Sequence, residues 1–499
     1  MKTLKYLTLI LILSGFLGSC EKFLDINDDP NNPTAATIID LMPAGQVSIG
    51  FAFSNVPGRI GADAVQHMVV GRFDGWDVDG SDVSNDWRFS LYAGALKDFE
   101  DVIEQATASE NFHYVGIAKL LKAYSYSLMV DMWDDIPFTQ ACGDFEYPEF
   151  DDASGIYDDI FLLIDEALDN MEMDNSVTLA DVDLIYQGDV ASWIRMGNTL
   201  KLKLYNQIRL VDPVSAKAGI EALVAAEAAN PGEVLITSAD QDFNFYFVNN
   251  ANPENRHPSY QADYLVKGEA HICNFFYDYL DNNNDPRIPY YFYNQNADGF
   301  EGRNYGDPAP QGNDGDTRTV PGIYPVGGKF DDGSAEAVTG GSANGDGEFR
   351  MLTNIMRLYI EAEAALSMNA AVSGTAEELF KEAMEASFLE VNRLSAPDMI
   401  STDVDAYIQD RLDDLTDSTT VSGKLNLVMT EKWIAMFGNG MESFNDYRRT
   451  GFPVIPDPIE TNNLRLLRIP YPNDELDANP NAPDQPNRNL PVFWDVDSK

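Results

Sequence analysis

The stretch His113–Phe138, HYVGIAKLLKAYSYSLMVDMWDDIPF, decides the fold class. Val115, Ala118, Leu121, Ser125, Leu128 and Met132 recur at three- and four-residue steps, the spacing at which side chains share one face of an α-helix. That face is mostly apolar, so the stretch reads as a helix lying on a core. Pro137, which has no backbone N–H to continue the ladder, is the expected stop.

The pattern repeats outward in both directions. Within GIYDDIFLLIDEALDNM (155–171), Ile156, Ile160, Leu163, Ile164, Ala167 and Leu168 fall on one face. DVASWIRMGNTLKLKLYNQIRL (189–210) is a third helix, expected to stop near Asp212-Pro213. TNIMRLYIEAEAALSM (353–368), TAEELFKEAMEASFLEV (375–391) and KLNLVMTEKWIAMF (424–437) are three more. Long amphipathic helices at short separations are the mark of stacked helix-turn-helix units, although no repeat signature is present. The expected class is mainly α, a tetratricopeptide-like scaffold.

The middle of the chain breaks the pattern. Residues 242–348 are rich in Asn, Asp, Gly, Pro and Tyr, with DFNFYFV (242–248) as a candidate short strand. Loops of this length inside a compact protein are functional or disordered. The domain from 35 to 499 is therefore read as helical over 35–241 and 349–499, split by a loop-rich insertion at about 242–348.

Upstream, Lys2 and Lys5 precede an apolar run from Tyr6 to Leu17. That run suits a secretory leader and is short of the ~20 residues that cross a bilayer. It ends LGSC at Cys20, a lipobox-like pattern, so 1–19 reads as a lipoprotein signal and Cys20 as the acylated residue. EKFLDINDDPNNPT (21–34) is turn-rich and polar and reads, with Cys20, as a tether over 20–34.

Composition narrows the partners. Lys and Arg number 33 and Asp and Glu 81, a net charge of −48. Such a field repels phosphate backbones and excludes nucleic acid. Apart from Cys20 there are two cysteines, Cys142 and Cys273; a single disulfide and two buried thiols both remain open.

Several blocks, in order, resemble the SusD/RagB family of Bacteroidetes outer-membrane lipoproteins: GIAKLLKAYSYSLMVDMWDDIPFTQA (116–141), YDDIFLLIDEALDNM (157–171), DLIYQGDVASWIRMGNTLKLKL (183–204), RLYIEAEAAL (357–366), EKWIAMFGNGMESFNDYRRTGFP (431–453) and RIPYPNDELDANPNA (468–482). The resemblance implies a helical fold with an irregular ligand face and no catalysis. It also implies glycan capture for a SusC-like TonB-dependent barrel, with Cys20 as the outer-membrane anchor and the only attachment to the membrane. The acids Glu21, Asp25, Asp28 and Asp29 resemble the signal that sends such lipoproteins to the exterior. Peptide capture is the alternative within the family, and a secreted hydrolase with paired carboxylates the alternative outside it.

The residues offer no catalytic motif. His67, His113, His257 and His271 lack metal-ligand spacing, and among 81 acids a carboxylate pair carries no information. Arg448 and Arg449 read as structural. Aromatics in loops are more informative, because a sugar presents a C–H face on which flat rings stack while Asn and Asp bond its hydroxyls. GRFDGWDVDG (71–80) and PYYFYNQNADGF (289–300) supply Phe73, Trp76, Tyr290, Tyr291, Tyr293, Asn294 and Asn296, with Tyr305 close behind. The expectation is a shallow stacking platform from the two loops; a satellite core is the alternative for Tyr290–Tyr293. No cofactor is expected, although Asp74, Asp77 and Asp79 could contribute oxygens to a calcium ion, as could the loop Asp281–Arg287. Trp87, at the head of WRFSLYAGAL, reads as helix packing.

Overall fold

The computed structural model describes residues 36–70, 78–174, 182–265, 270–294, 299–307, 317–322, 345–394, 398–459 and 465–496. The leader, the tether and Cys20 lie outside them. The described residues are mostly helical.

Helices α1 (Ile38–Ser54) and α2 (Val56–Ala64) lead into strand β1 (Met68–Val70). Then α3 (Lys97–Ala108) packs on α4 (Phe112–Trp133), α4 on α5 (Ala153–Met171), and α6 (Val190–Gln207) on α7 (Pro213–Ala229). The helices start where the sequence supplies a cap. Asp152, Asp189 and Asp212 each accept a backbone N–H of the first turn of α5, α6 and α7, satisfying donors that have no partner inside the helix. The expected face of α4 is buried, but so is nearly all the rest of it, leaving only Phe112, His113 and two lysines, Lys119 and Lys122, partly open. The helix ends at Trp133, before Pro137: Asp134 turns out at φ +73°, and its N–H closes onto the Val130 carbonyl. Likewise Asp212-Pro213 is a beginning as well as an end, because α6 stops at Gln207 and Pro213 opens α7.

The insertion is closed at its base. Strand β2 (Phe243–Phe247) pairs antiparallel with β6 (Gly347–Leu352), so the chain leaves and returns at one place. Joining the ends this way keeps the entropic cost of a long excursion small. Phe243, Phe245 and Phe247 face the core and Tyr246 is exposed, but Asn244 is buried too, beside a break in register at Phe243/Asn244, so the two-residue alternation holds only over the second half of the strand. Between them, β3 (Ala270–Ile272) pairs with β1, α8 (Asn274–Asn282) follows, and β4 (Phe292–Asn294) pairs with β5 (Thr319–Pro321).

The chain then completes the scaffold with α9 (Asn354–Met368), α10 (Ala376–Leu394), α11 (Ser401–Asp417), α12 (Val421–Ala435) and α13 (Gly440–Thr450). α13 presses against α2 so closely that a Cβ on Gly440 would stand 2.2 Å from the Ala62 nitrogen, which makes glycine obligatory there. One apolar cluster runs from Leu41 to Trp494, with Trp133, Trp193, Trp433 and Trp494 sealed inside it.

Candidate functional site

The expected platform does not form from the second loop. Tyr290, Tyr291, Tyr293 and Tyr305 are all buried. Tyr291 donates to the Ile434 carbonyl at 3.1 Å, and its ring lies 4.9 Å from Phe437. Phe292 joins the same cluster with Phe276. The reason is local: the chain makes one helical turn over Ile288–Tyr291 and then becomes β4, so successive aromatics are all delivered to the core. Asn294, half-buried, accepts from the Thr319 hydroxyl at 2.6 Å. These side chains hold the insertion together. Phe73, Asp74, Trp76, Asp77 and Asn296 lie outside the described residues.

Asp79 is a helix cap. Its carboxylate accepts from the Ser81 N–H at 2.6 Å, and its own N–H donates to Asp82. The Ser81 bonds hold its pKa below the ordinary value. In the other acidic loop Asp285 pairs with Arg287 at 2.6 Å, deep in the protein. Among the described residues no group of three His, Cys, Asp or Glu is arranged to hold a metal.

The histidines are structural. Burial drives His67 and His257 down to about 3, so both are neutral; the His67 Nε2 bonds the Trp433 carbonyl, and His257 Nδ1 accepts from Ser259 N–H. His271 is buried in β3, and His113 bonds the Met173 carbonyl. Cys142 and Cys273 are separate free thiols, pushed up to about 11 and about 12 by burial. Arg448 lies 4.0 Å from the Phe444 ring and Arg449 is locked among carboxylates, so both are framework residues.

An open site occurs elsewhere. Asp86–Leu96 is π-helical and breaks at Gly94, which takes φ −98° and ψ −105°. Such wide turns are rare and cluster at functional places, because they re-aim side chains. Here the segment aims Trp87, Arg88 and Tyr92 at a groove of about 300 Å³. The loop after α4 supplies the far wall with Pro137, Gln140, Cys142 and Phe145, and Glu475 closes one end. Trp87 itself is buried, edge-on to Trp133 at 5.0 Å as expected for packing, but its ring forms part of the floor. Tyr92 fixes the two walls together: its hydroxyl donates to the Pro137 carbonyl at 2.7 Å, and its carbonyl accepts from the Cys142 thiol. Phe145 at the rim is 58% exposed and Phe89 beside Arg88 is 61% exposed, so two large rings stand in water.

The first aromatic loop is rooted nearby. Its return limb at Gly80 is tight against the Tyr471 carbonyl and Asn473, just before Glu475 of the groove. The groove was readable in part: DFEYPEF (144–150) sets three aromatics among acids without helical period, the same signal that singled out 289–300. What no sequence period could show is which aromatic loop remains uncovered.

The fold is a mainly helical scaffold. SusD homologues share it, among them one from Bacteroides uniformis (19% identity, TM-score 0.73, covering 92% of this chain and 99% of that one) and a SusD/RagB protein from Bacteroides thetaiotaomicron (19%, 0.72, 93% and 99%). A chitin-binding SusD homologue from Flavobacterium johnsoniae matches at 19% identity and TM-score 0.70, over 92% of this chain and 98% of that one. No curated protein is similar in sequence. The family model described as starch-binding and associating with the outer membrane matches residues 34–472, and the chain belongs to that SusD-like family. No helix among the described residues is long and apolar enough to cross a membrane.

Proposed function

We propose that the protein is a cell-surface lipoprotein, anchored through Cys20, that captures glycan without cleaving it and passes it to a SusC-like TonB-dependent barrel. The observation that carries the reading is the family match over residues 34–472, joined to a groove lined by the exposed ring of Phe145. Aromatic rims of this kind stack on sugar faces at small entropic cost, since each ring has two side-chain torsions. The chitin-binding relative from Flavobacterium johnsoniae favours sugar over peptide. Phe73 and Trp76 are proposed to extend the stacking surface from the loop rooted beside the groove.

Calorimetry with a panel of oligosaccharides and peptides tests this on the wild type, Phe145→Ala and Trp76→Ala. Each ring removed is expected to weaken glycan binding by about 1–3 kcal/mol, as for a hot-spot aromatic, with the melting temperature unchanged. Unaltered affinity in both variants would remove the groove and its neighbouring loop from the site. Binding of peptides alone would replace the glycan reading. Turnover of any oligosaccharide would restore the hydrolase. Fractionation of Cys20→Ala, expressed without the barrel, checks the anchor: the protein should leave the outer-membrane fraction.

A further inference from the structure

We propose that the groove selects glycans carrying negative substituents, uronate carboxylates or sulfate esters, with Arg88 as the contact; the inference rests on the glycan-binding reading above.

The argument comes from which polar atoms the groove leaves open. Several of its acceptors are engaged, although among the described residues Glu475 keeps its second carboxylate oxygen open. The Pro137 carbonyl takes the Tyr92 hydroxyl, the Tyr92 carbonyl takes the Cys142 thiol, and Glu475 accepts from Asn479 Nδ2 at 2.9 Å. Its donors are open. Gln140 uses its Oε1 to accept from Glu149 N–H at 3.1 Å, which leaves the Nε2 hydrogens unpartnered. Among the described residues Arg88 makes no hydrogen bond or ion pair; its guanidinium carbon lies 5.1 Å from the Phe89 ring centre, a stacking contact that leaves the N–H edge open. Lys97, on the same wall, gives one bond to Asp101 at 2.6 Å.

The open donors of Arg88 and Gln140 fit a ligand rich in acceptors. The charge makes the point sharper. The chain carries 81 acids against 33 bases, so a cation on its surface ordinarily has a carboxylate within reach. Among the described residues Arg88 stands without one, in the lining of an aromatic groove. A planar fork of N–H donors matches a carboxylate or sulfate better than it matches a neutral hydroxyl. The Phe145 ring would take the C–H face of the sugar while Arg88 and Gln140 take its charged substituent.

The test is competition binding at fixed ionic strength. The probes are galacturonate oligosaccharides, sulfated galactose oligosaccharides and neutral galactose oligosaccharides of equal length. The wild type is expected to bind at least one acidic series about tenfold more tightly than the neutral one, and the better series identifies the substituent. Arg88→Gln should erase that preference by weakening the acidic series far more than the neutral one, and Arg88→Lys should restore part of it. Equal binding of acidic and neutral series by the wild type overturns the inference and leaves glycan binding standing. So does an Arg88→Gln loss that is the same for both. Absence of binding to every oligosaccharide in this and the wider panel overturns the underlying function as well.

Discussion

Arg449 and Arg88 are the same side chain in opposite situations. Arg449 in α13 is buried and every arm is used. It holds Glu363 through two bonds of 2.9 and 2.7 Å, Gln207 at 2.6 Å and Asp446 at 2.5 Å. The hub continues outward: Arg209 shares Glu363, Lys432 joins Asp446 to Glu442, and Lys203 reaches Glu442 at 2.6 Å. Burial pushes the Glu363 carboxyl up, and the guanidinium groups of Arg449 and Arg209 more than reverse this, holding it well below the usual carboxylate range. Arg88 is exposed and unpaired. Buried charges must be matched where they are, so the hub ties α6, α9, α12 and α13 into one register. A charge left open at the surface is available to something else. The difference separates framework from site better than residue type does.

The strongest way to break this contrast is to cut the hub. Arg449→Met removes a cation from among buried carboxylates and leaves Glu363 and Asp446 short of compensation. Removing one partner of a buried pair costs about 3–5 kcal/mol. Urea unfolding followed by circular dichroism should show a loss of that size. A loss under about 1 kcal/mol would mean that the hub is replaceable and that burial does not mark framework here.

Arg393 lies between the two extremes and offers a pH-dependent test. Its Nη2 reaches Glu348 and Glu390, each at 2.6 Å, while the guanidinium remains partly exposed. The two carboxyls are buried together, with Asp242, Arg350 and Tyr246 also bearing on the cluster. Burial first, and then the neighbouring Glu390, raise Glu348 to about 8, while Glu390 is held below its ordinary value. A carboxyl raised in the folded state binds its proton more tightly there than in the unfolded chain. Its contribution is complete below about pH 4.5 and is lost as the pH rises through about 8. Glu348→Gln keeps the neutral form at all pH values. The melting temperature of the wild type should therefore fall more between pH 5 and pH 9 than that of the variant. Parallel curves would show that Glu348 does not carry the proton. The strand it sits on is β6, which closes the insertion, so the effect should also appear as faster amide exchange in β2 at high pH.

The scaffold was legible in the sequence because periodicity reports a face, and faces decide helices. The six helical stretches read from spacing are present, and Pro137 misplaced the end of α4 by four residues only because Asp134 can turn out of the helix by itself. Helices α7, α11 and α13 gave no such signal: α11 is studded with acids, and α13 is too full of polar residues, each with a hidden partner. The site was less legible for a related reason. Tyr290–Tyr293 and Phe145 look alike in sequence, as rings among loop residues. One group is covered by α8 and α12 and the other is not, and coverage is a property of tertiary packing. Arg88 gave no sequence signal at all, since an unpaired cation is defined by what does not approach it.

The smallest effect is expected at Arg88, and its smallness is the sharpest form of the comparison. Arg88→Ala removes a side chain that, among the described residues, makes no hydrogen bond and no ion pair, and that stacks on the face of Phe89. Exposed substitutions of this kind stay within about 0.5 kcal/mol. Three influences set the sign. Losing the stacked guanidinium uncovers part of the Phe89 ring, which is slightly unfavourable. Losing a positive charge from a chain at −48 adds to its self-repulsion, again slightly unfavourable and screened by salt. Alanine is a better helix former than arginine by a small margin, which is favourable, though the π-helical turn weakens that gain. These nearly cancel, so urea unfolding should give the wild-type stability to within that margin. A loss above 1 kcal/mol would make Arg88 part of the framework, alongside Arg449, and the open groove would then have no residue reserved for a ligand.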